Sequence, residues 1–259
     1  MLSKGKLKYI RSLEHKKYRL EEQAFVAEGP KIVGELLNVF RCKLLLATEE
    51  WLHAHSSVVA AEIVEVMPAE LQRASFLQTP QQVLAVFESP AYSLSIEKIK
   101  TSLCLALDDI QDPGNLGTII RIADWFGIET IIASLGTADA FAPKAVQATM
   151  GAIARVQILY TALPELLSSL TDVPIYGTFL DGENIYEQSL SATGVLVMGN
   201  EGKGICPKTA QYVNRKLYIP PFPAGRATSE SLNVAVATAL ACAEFRRRLP
   251  YPDDGSASA

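Results

Sequence analysis

The sequence predicts an α/β protein in two parts: a small α/β domain over residues 1–90, and a C-terminal parallel-sheet domain over residues 103–249. Three observations carry this prediction. The chain has 259 residues, which at about 150 per domain is room for two compact units. Its residues are 49% apolar and 20% charged, ordinary globular usage that argues against a disordered, collagenous or disulfide-scaffold chain. From Leu103 onward, near-continuous apolar runs of strand length recur between helical patterns. That alternation is the mark of a parallel sheet covered on both faces.

The elements follow in order. In the front part Leu7–Leu20 reads as a helix with its basic face outward. Phe25–Ala27, Lys43–Ala47, Ile63–Val66 and Val83–Phe87 read as strands, with a helix at Pro30–Phe40 between the first two. Ser89–Ser102 is richer in serine and charge and reads as a linker, placed at residues 91–102. The second part should hold strands at Leu103–Leu107, Thr130–Ala133, Val156–Tyr160, Pro174–Phe179, Val195–Met198 and Lys216–Ile219. Residues 250–259 have the composition of a disordered tail.

Net charge is −4, yet residues 1–19 hold Lys4, Lys6, Lys8, Arg11, Lys16, Lys17 and Arg19 against the single acid Glu14. A basic segment on an acidic body can grip a polyanion such as a nucleic acid; a solvated helix face has the same composition. Arg246–Arg248 either adds to that grip or caps the last helix's negative end. Cys42, Cys104, Cys206 and Cys242 lie far apart and form no CxxC pair, which excludes a compact zinc ribbon and points to reduced thiols in a cytosol. His15, His53 and His55 sit in no metal-ligand spacing, so no metal is expected. The amino terminus has no signal-peptide pattern, and Leu232–Cys242 is too short to cross a bilayer. A soluble cytoplasmic protein with no membrane partner is expected.

Three segments carry chemistry. In Asp108–Gly127 a buried strand runs into a turn at Asp112-Pro113-Gly114-Asn115, where Asn115 reads as the cap of the following helix. Leu116, Ile119, Ile120 and Ala123 form its core face, and Gly127 stops it. Arg121 lies one residue past that stripe, near the carboxyl end of a parallel strand where ligands bind. It carries five donors suited to phosphate or a sugar hydroxyl; pairing with Asp124 at i+3 is the plain alternative. In Val195–Ile205 a strand ends in the glycine-rich loop GNEGKG, with Glu201 inside it. The loop lacks both GxxxxGK[ST] and GxGxxG, which disfavours a nucleotide triphosphatase or phosphotransferase. In Leu217–Ala243 a Pro/Gly-rich loop opens a helix, with Ser229, Glu230 and Ser231 as candidate caps. Leu232, Ala235, Val236 and Ala239 form a tight apolar face for another helix or subunit, and Asn233 sits in the first turn beside amide donors.

Taken in this order and spacing, DPGNLGTIIR, VMGNEGKGI and IPPFPAGRATSESLNVAVATAL resemble the three motifs of the SpoU/TrmH-like RNA 2′-O-ribose methyltransferases of the SPOUT superfamily. The resemblance covers about residues 103–249. In the front part, KKYRLEEQAFVAEGPKIVGELL and TPQQVLAVFE are similar to that family's substrate-binding domain, itself like ribosomal RNA-binding α/β modules. The resemblance implies a deep trefoil knot, an exception to the rule that chains do not thread loops. It implies S-adenosylmethionine bound at that knot, and an obligate homodimer whose active site draws on both chains. By position it implies catalytic roles for Asn115 and Arg121 from the first motif, Glu201 from the second, and Ser231 and Asn233 from the third. Cofactor contacts are implied at Thr178, Leu180, Met198, Gly199, Gly202, Ile219 and Leu232. The Pro220–Glu230 loop is longer and richer in proline than the family pattern.

A guanidinium, with a pKa above about 12, is a poor base. Arg121 is therefore expected to hold the target's phosphate and lower the ribose hydroxyl's pKa. Glu201 would orient the site, and Ser231 and Asn233 would place ribose or phosphate. The added front domain resembles that of the ribosomal-RNA and resistance-type members more than the minimal transfer-RNA type, which implies ribosomal RNA as substrate. Transfer RNA, or a non-catalytic RNA-binding protein of the same fold, are the alternatives.

Overall fold

A computed structural model describes residues 2–223, 229 and 231–249; the expected tail at residues 250–259 lies outside them. The front part runs α1 (Lys4–Ser12), α2 (Lys16–Glu22), β1 (Ala24–Glu28), α3 (Pro30–Leu37), β2 (Cys42–Ala47), α4 (Glu49–Ala54), β3 (Ile63–Glu65), α5 (Pro68–Ala74) and β4 (Val83–Glu88). Its sheet has the order β1-β4-β2-β3, with β4 antiparallel to both neighbours. The single helix expected over Leu7–Leu20 is two helices. Ile10 and Leu13 are fully buried against the sheet. At the break, the Arg19 guanidinium donates to the carbonyls of Leu13 and Glu14 at 2.7 Å each. These are carbonyls that a helix end leaves open.

The second part runs α6 (Ile96–Thr101), β5 (Leu103–Asp108), α7 (Pro113–Trp125), β6 (Thr130–Ser134), α8 (Pro143–Thr149), β7 (Gln157–Thr161), α9 (Leu163–Ser168), β8 (Ile175–Asn184), β9 (Gly194–Gly199), α10 (Pro207–Ala210), β10 (Arg215–Tyr218) and α11 (Val234–Arg247). Each apolar run read as a strand is one. They form a six-stranded parallel sheet in the order β10-β8-β9-β5-β6-β7. Both faces are covered. On β5, Leu103, Leu105 and Leu107 enter one apolar cluster while Cys104 and Ala106 enter another. The expected linker is only partly one. Ser95 caps α6 by accepting from Lys98 N, and Ile99 is fully buried in the second cluster. The boundary stretch thus contributes to the sheet's own core.

The two parts share a core. Phe25 of β1 packs on Phe141 with ring centres 4.8 Å apart. Arg19 bonds Asp139 at 2.6 Å, and Arg155 bonds Glu35 at 2.6 Å.

Candidate active site

Parallel register places Asp108, the last residue of β5, beside Gly199, the last of β9. The loops that follow these strands meet at the carboxyl edge of the sheet, where open α/β sheets bind ligands. The cap of α7 is Asp112, not Asn115: its Oδ1 accepts from Asn115 N at 2.8 Å and its Oδ2 from Lys144 Nζ at 2.6 Å. The Lys144 hydrogen bond and the cap together hold the Asp112 carboxyl below the usual carboxylate range. Relieved of capping, the Asn115 side chain reaches across the loops. Its Nδ2 donates to Glu201 Oε1 at 2.6 Å, and its Oδ1 accepts from Asn233 Nδ2 at 3.1 Å. One residue from each of the three segments is therefore joined in a single hydrogen-bonded chain.

Asn233 is itself the cap of α11. Its Oδ1 accepts from Ala235 N at 3.0 Å and Val236 N at 3.3 Å. This replaces the candidate caps Ser229, Glu230 and Ser231, because the Asn sits immediately before the first helical residue and can reach the second and third amides. Glu230 lies outside the described residues. Ser231 is exposed, and no bond joins it to the Asn115–Glu201–Asn233 chain.

Sequence reasoning missed Asn200. Its Oδ1 accepts from Gly202 N at 2.9 Å and Lys203 N at 3.1 Å, and its Nδ2 donates to Asp109 O at 2.8 Å. An Asn ahead of closely spaced glycines is the pattern of an Asx turn, and that signal could have found it. Backbone bonds between Asn200 and Gly204 close the turn and put Glu201 at its tip. At Gly199 a Cβ would lie 2.3 Å from the Gly204 carbonyl carbon, so only glycine allows this closure. Buried Asp108 ties down the exit by accepting from Cys206 N at 2.9 Å.

Arg121 is exposed on α7. It does not pair with Asp124, which instead takes both the Nε and Nη2 of Arg155 at 2.8 Å. Among the described residues Arg121 has no side-chain partner.

Of the residues expected at a cofactor, Thr178, just past the stretch of β8 paired with β9, meets Met198 near the carboxyl end of β9, with Oγ1 3.9 Å from Sδ. The ladder between β8 and β10 slips after Gly177 and resumes at Glu183. Residues 178–182 therefore bow out of it, leaving Leu180 75% exposed. Ile219 is half-buried beyond β10, Gly202 is exposed on the turn, and Leu232 is exposed.

The basic segment divides. Arg19 is 5% exposed and bonds Asp139 and two carbonyls, so it is a structural cation and not an RNA contact. Arg11 donates to Ser75 O at 2.7 Å and lies over the Phe76 ring, while Lys6 pairs with Glu62 at 2.5 Å. Lys17 is 3.8 Å from Glu21, and Lys16 stands over the Tyr160 ring. Lys4 and Lys8 are the expected RNA cations left exposed without a side-chain partner among the described residues. Arg246 caps the carbonyls of Phe126 and Gly127, and Arg247 and Arg248 clamp Glu244. Among the described residues no group of His, Cys, Asp and Glu is arranged to hold a metal ion, and no helix is long and apolar enough to cross a membrane.

The model of the SpoU rRNA Methylase family matches residues 102–243, and that of the MRM3-like substrate binding domain matches residues 4–85. The chain is 32% identical to the 23S rRNA (guanosine(2553)-2′-O)-methyltransferase RlmP of Bacillus subtilis, over 91% of this chain and 93% of that one. A TrmH-family structure from Porphyromonas gingivalis is 46% identical, with a TM-score of 0.88 over 96% of this chain and 100% of that one. An AdoMet-bound rRNA methyltransferase from Sinorhizobium meliloti is 31% identical, with a TM-score of 0.83 over 97% of each. The chain belongs to the SpoU rRNA methylase family.

Proposed function

We propose that this protein transfers a methyl group from S-adenosylmethionine to a ribose 2′-hydroxyl of ribosomal RNA. The observation that carries the reading is the chain Asn233–Asn115–Glu201, which joins three separate segments at one sheet edge. The RlmP relative acts on a guanosine of 23S rRNA, which supports ribosomal over transfer RNA.

When bound, S-adenosylmethionine supplies an electrophilic sulfonium methyl. The residues present fit such a group. Met198 and Thr178 offer an apolar, lightly polar wall where the pairing of β8 and β9 ends, and Gly199 keeps the backbone bare of a side chain. Gly202, Ile219, Leu180 and Leu232 would complete the contacts. Glu201 receives the Asn115 amide and so fixes the orientation of Asn115 and, through it, Asn233. Positioning of this kind supplies several kcal/mol of a barrier. Arg121, which has no side-chain partner among the described residues, holds the target's phosphate and favours loss of the 2′-hydroxyl proton to a phosphate oxygen, water or a carboxylate. Ser231 and Asn233 place ribose or phosphate. Lys4, Lys8, Lys16 and Lys17 hold the RNA backbone.

The reading includes a homodimer and a cytoplasmic location. Val236 (49% exposed) and Leu240 (39%), one turn apart on α11, support the dimer, as does Trp125 (84%) on the adjoining α7; contiguous exposed apolar surface marks interaction sites. The face is shifted from the one read in sequence, since Ala235 is buried. It also includes the trefoil knot that the family resemblance implies.

The test is incubation with radiolabelled methyl donor and ribosomal RNA from a strain lacking this protein, followed by nucleotide mapping. A single labelled 2′-O-methyl position is expected. Label on a base, or on transfer RNA alone, would refute the reading.

A further inference from the structure

A cleft of about 540 Å³ separates the front part from α8, within the size range of small-ligand sites. Val26 of β1 with Phe76 and Leu77 after α5 form one wall; Pro143, Gln147 and Ala148 of α8 form the other. Gly114, one residue before Asn115, also lines it. Glu28, the last residue of β1, lines it and is 4% exposed.

The groups around Glu28 form a fixed constellation. Ser75 Oγ donates to Glu28 Oε2, and Phe76 N donates to Oε1 at 2.8 Å. Leu77 N donates to Ser75 Oγ at 3.0 Å, which locks the bend carrying both apolar side chains. Arg11 donates to Ser75 O and stacks its guanidinium 4.8 Å over the Phe76 ring. Burial raises the Glu28 carboxyl, against the hydrogen bonds from Ser75 and Phe76 and the charge of Arg11. No described residue of the three-loop site bonds this carboxylate.

We infer that the cleft is a base pocket that takes the guanine of the nucleotide whose ribose is methylated, read by the Glu28 carboxylate. The inference rests on the proposed reaction and names what the site selects. Sequence-specific RNA recognition takes bases splayed from their neighbours, which are held by aromatic or guanidinium planes and by hydrogen bonds to their Watson–Crick edges. The apolar walls with the Phe76 ring, braced by Arg11, supply the first. Each Glu28 oxygen has one protein donor, and a carboxylate offers about four acceptor sites, so each can accept once more. Guanine presents two adjacent donors, N1–H and N2–H, on that edge. Adenine, cytosine and uracil do not. The position of Gly114 puts the pocket beside the first turn of α7, where the Asn115 chain begins.

The test uses the full chain with methyl-labelled Val, Leu and Ala, titrated with guanosine 5′-monophosphate and separately with the adenosine, cytidine and uridine monophosphates. With the guanosine nucleotide, shifts are expected at Val26, Leu77 and Ala148, with at most slight shifts from the other three. Glu28→Gln should weaken binding by about fivefold or more, the loss of a paired base contact. Gln147→Trp, which fills the cleft from a half-buried position without removing a hydrogen bond, should abolish the shifts while the rest of the spectrum stays folded. Absent cleft shifts, or equal shifts from all four nucleotides, would overturn the inference. Methyl transfer to ribosomal RNA measured on the same samples reports separately on the reaction, so each reading can fail alone.

Discussion

Asn115, Glu201 and Asn233 come from positions up to 118 residues apart and direct their hydrogen bonds at one another. The cations between Lys4 and Arg19 lie close in sequence, and the fold scatters their roles. Arg19 is buried on Asp139, Arg11 braces Phe76, Lys6 holds Glu62, and Lys4 and Lys8 point to water. The difference teaches that a basic run does not announce which of its charges are free. A polar residue set beside a strand end or a glycine turn has far fewer places to go.

That contrast can be broken from either side. The largest effect should come from Arg19→Ala, which leaves Asp139 only 16% exposed and without its cation. Loss of one member of a buried ion pair costs about 3–5 kcal/mol. Urea unfolding should show that loss, while RNA affinity of the folded fraction stays near wild type. A large fall in affinity at unchanged stability would return Arg19 to the RNA surface. Next, Glu201→Ala should lower kcat for methyl transfer by about a hundredfold, the cost of a small misplacement in a positioned site, with the melting temperature little changed. The double substitution Lys4→Ala with Lys8→Ala should reduce the dependence of RNA affinity on salt by a slope of about 1–2 and leave melting unchanged. An unaltered slope would remove both lysines from the RNA interface. The whole segment cannot be deleted as a test, because Ile10 and Leu13 belong to the front core.

The smallest effect concerns a cation cluster at the other end of the chain. The Arg247 hydrogen bond, opposed by burial and aided by Arg248, holds the Glu244 carboxyl below its ordinary range. Since the folded value is lowered, the stability it contributes is present above the ordinary carboxylate range and is lost as pH falls through the lowered value. The melting-temperature gap between wild type and Glu244→Gln should therefore be steady near neutrality and close in strong acid. A gap that widens on acidification would reverse the assignment.

Much of the second sheet was legible because its strands are buried on both faces and so read as unbroken apolar runs. Helix α6 was not, since a short segment with the single buried residue Ile99 looks like a charged linker. The break between α1 and α2 was hidden because apolar spacing continues across it; what ends α1 is burial of Leu13 and the Arg19 guanidinium arriving from the next helix. At the site, residue types pointed to Asn115, Glu201 and Asn233, but not to which Asx caps which helix. Asp112 takes that role on α7 and frees Asn115, while Asn233 both caps α11 and bonds Asn115. Which side chains touch across 86 and 118 residues is a property of the packed sheet.

The most direct measurement of the central claim is a double-mutant cycle on kcat for methyl transfer, with Asn115→Ala, Glu201→Ala and the pair combined. If the two residues act as one positioned unit, the double variant should lose little more than either single one. Losses that multiply independently would mean that the bond joining these loops does no catalytic positioning.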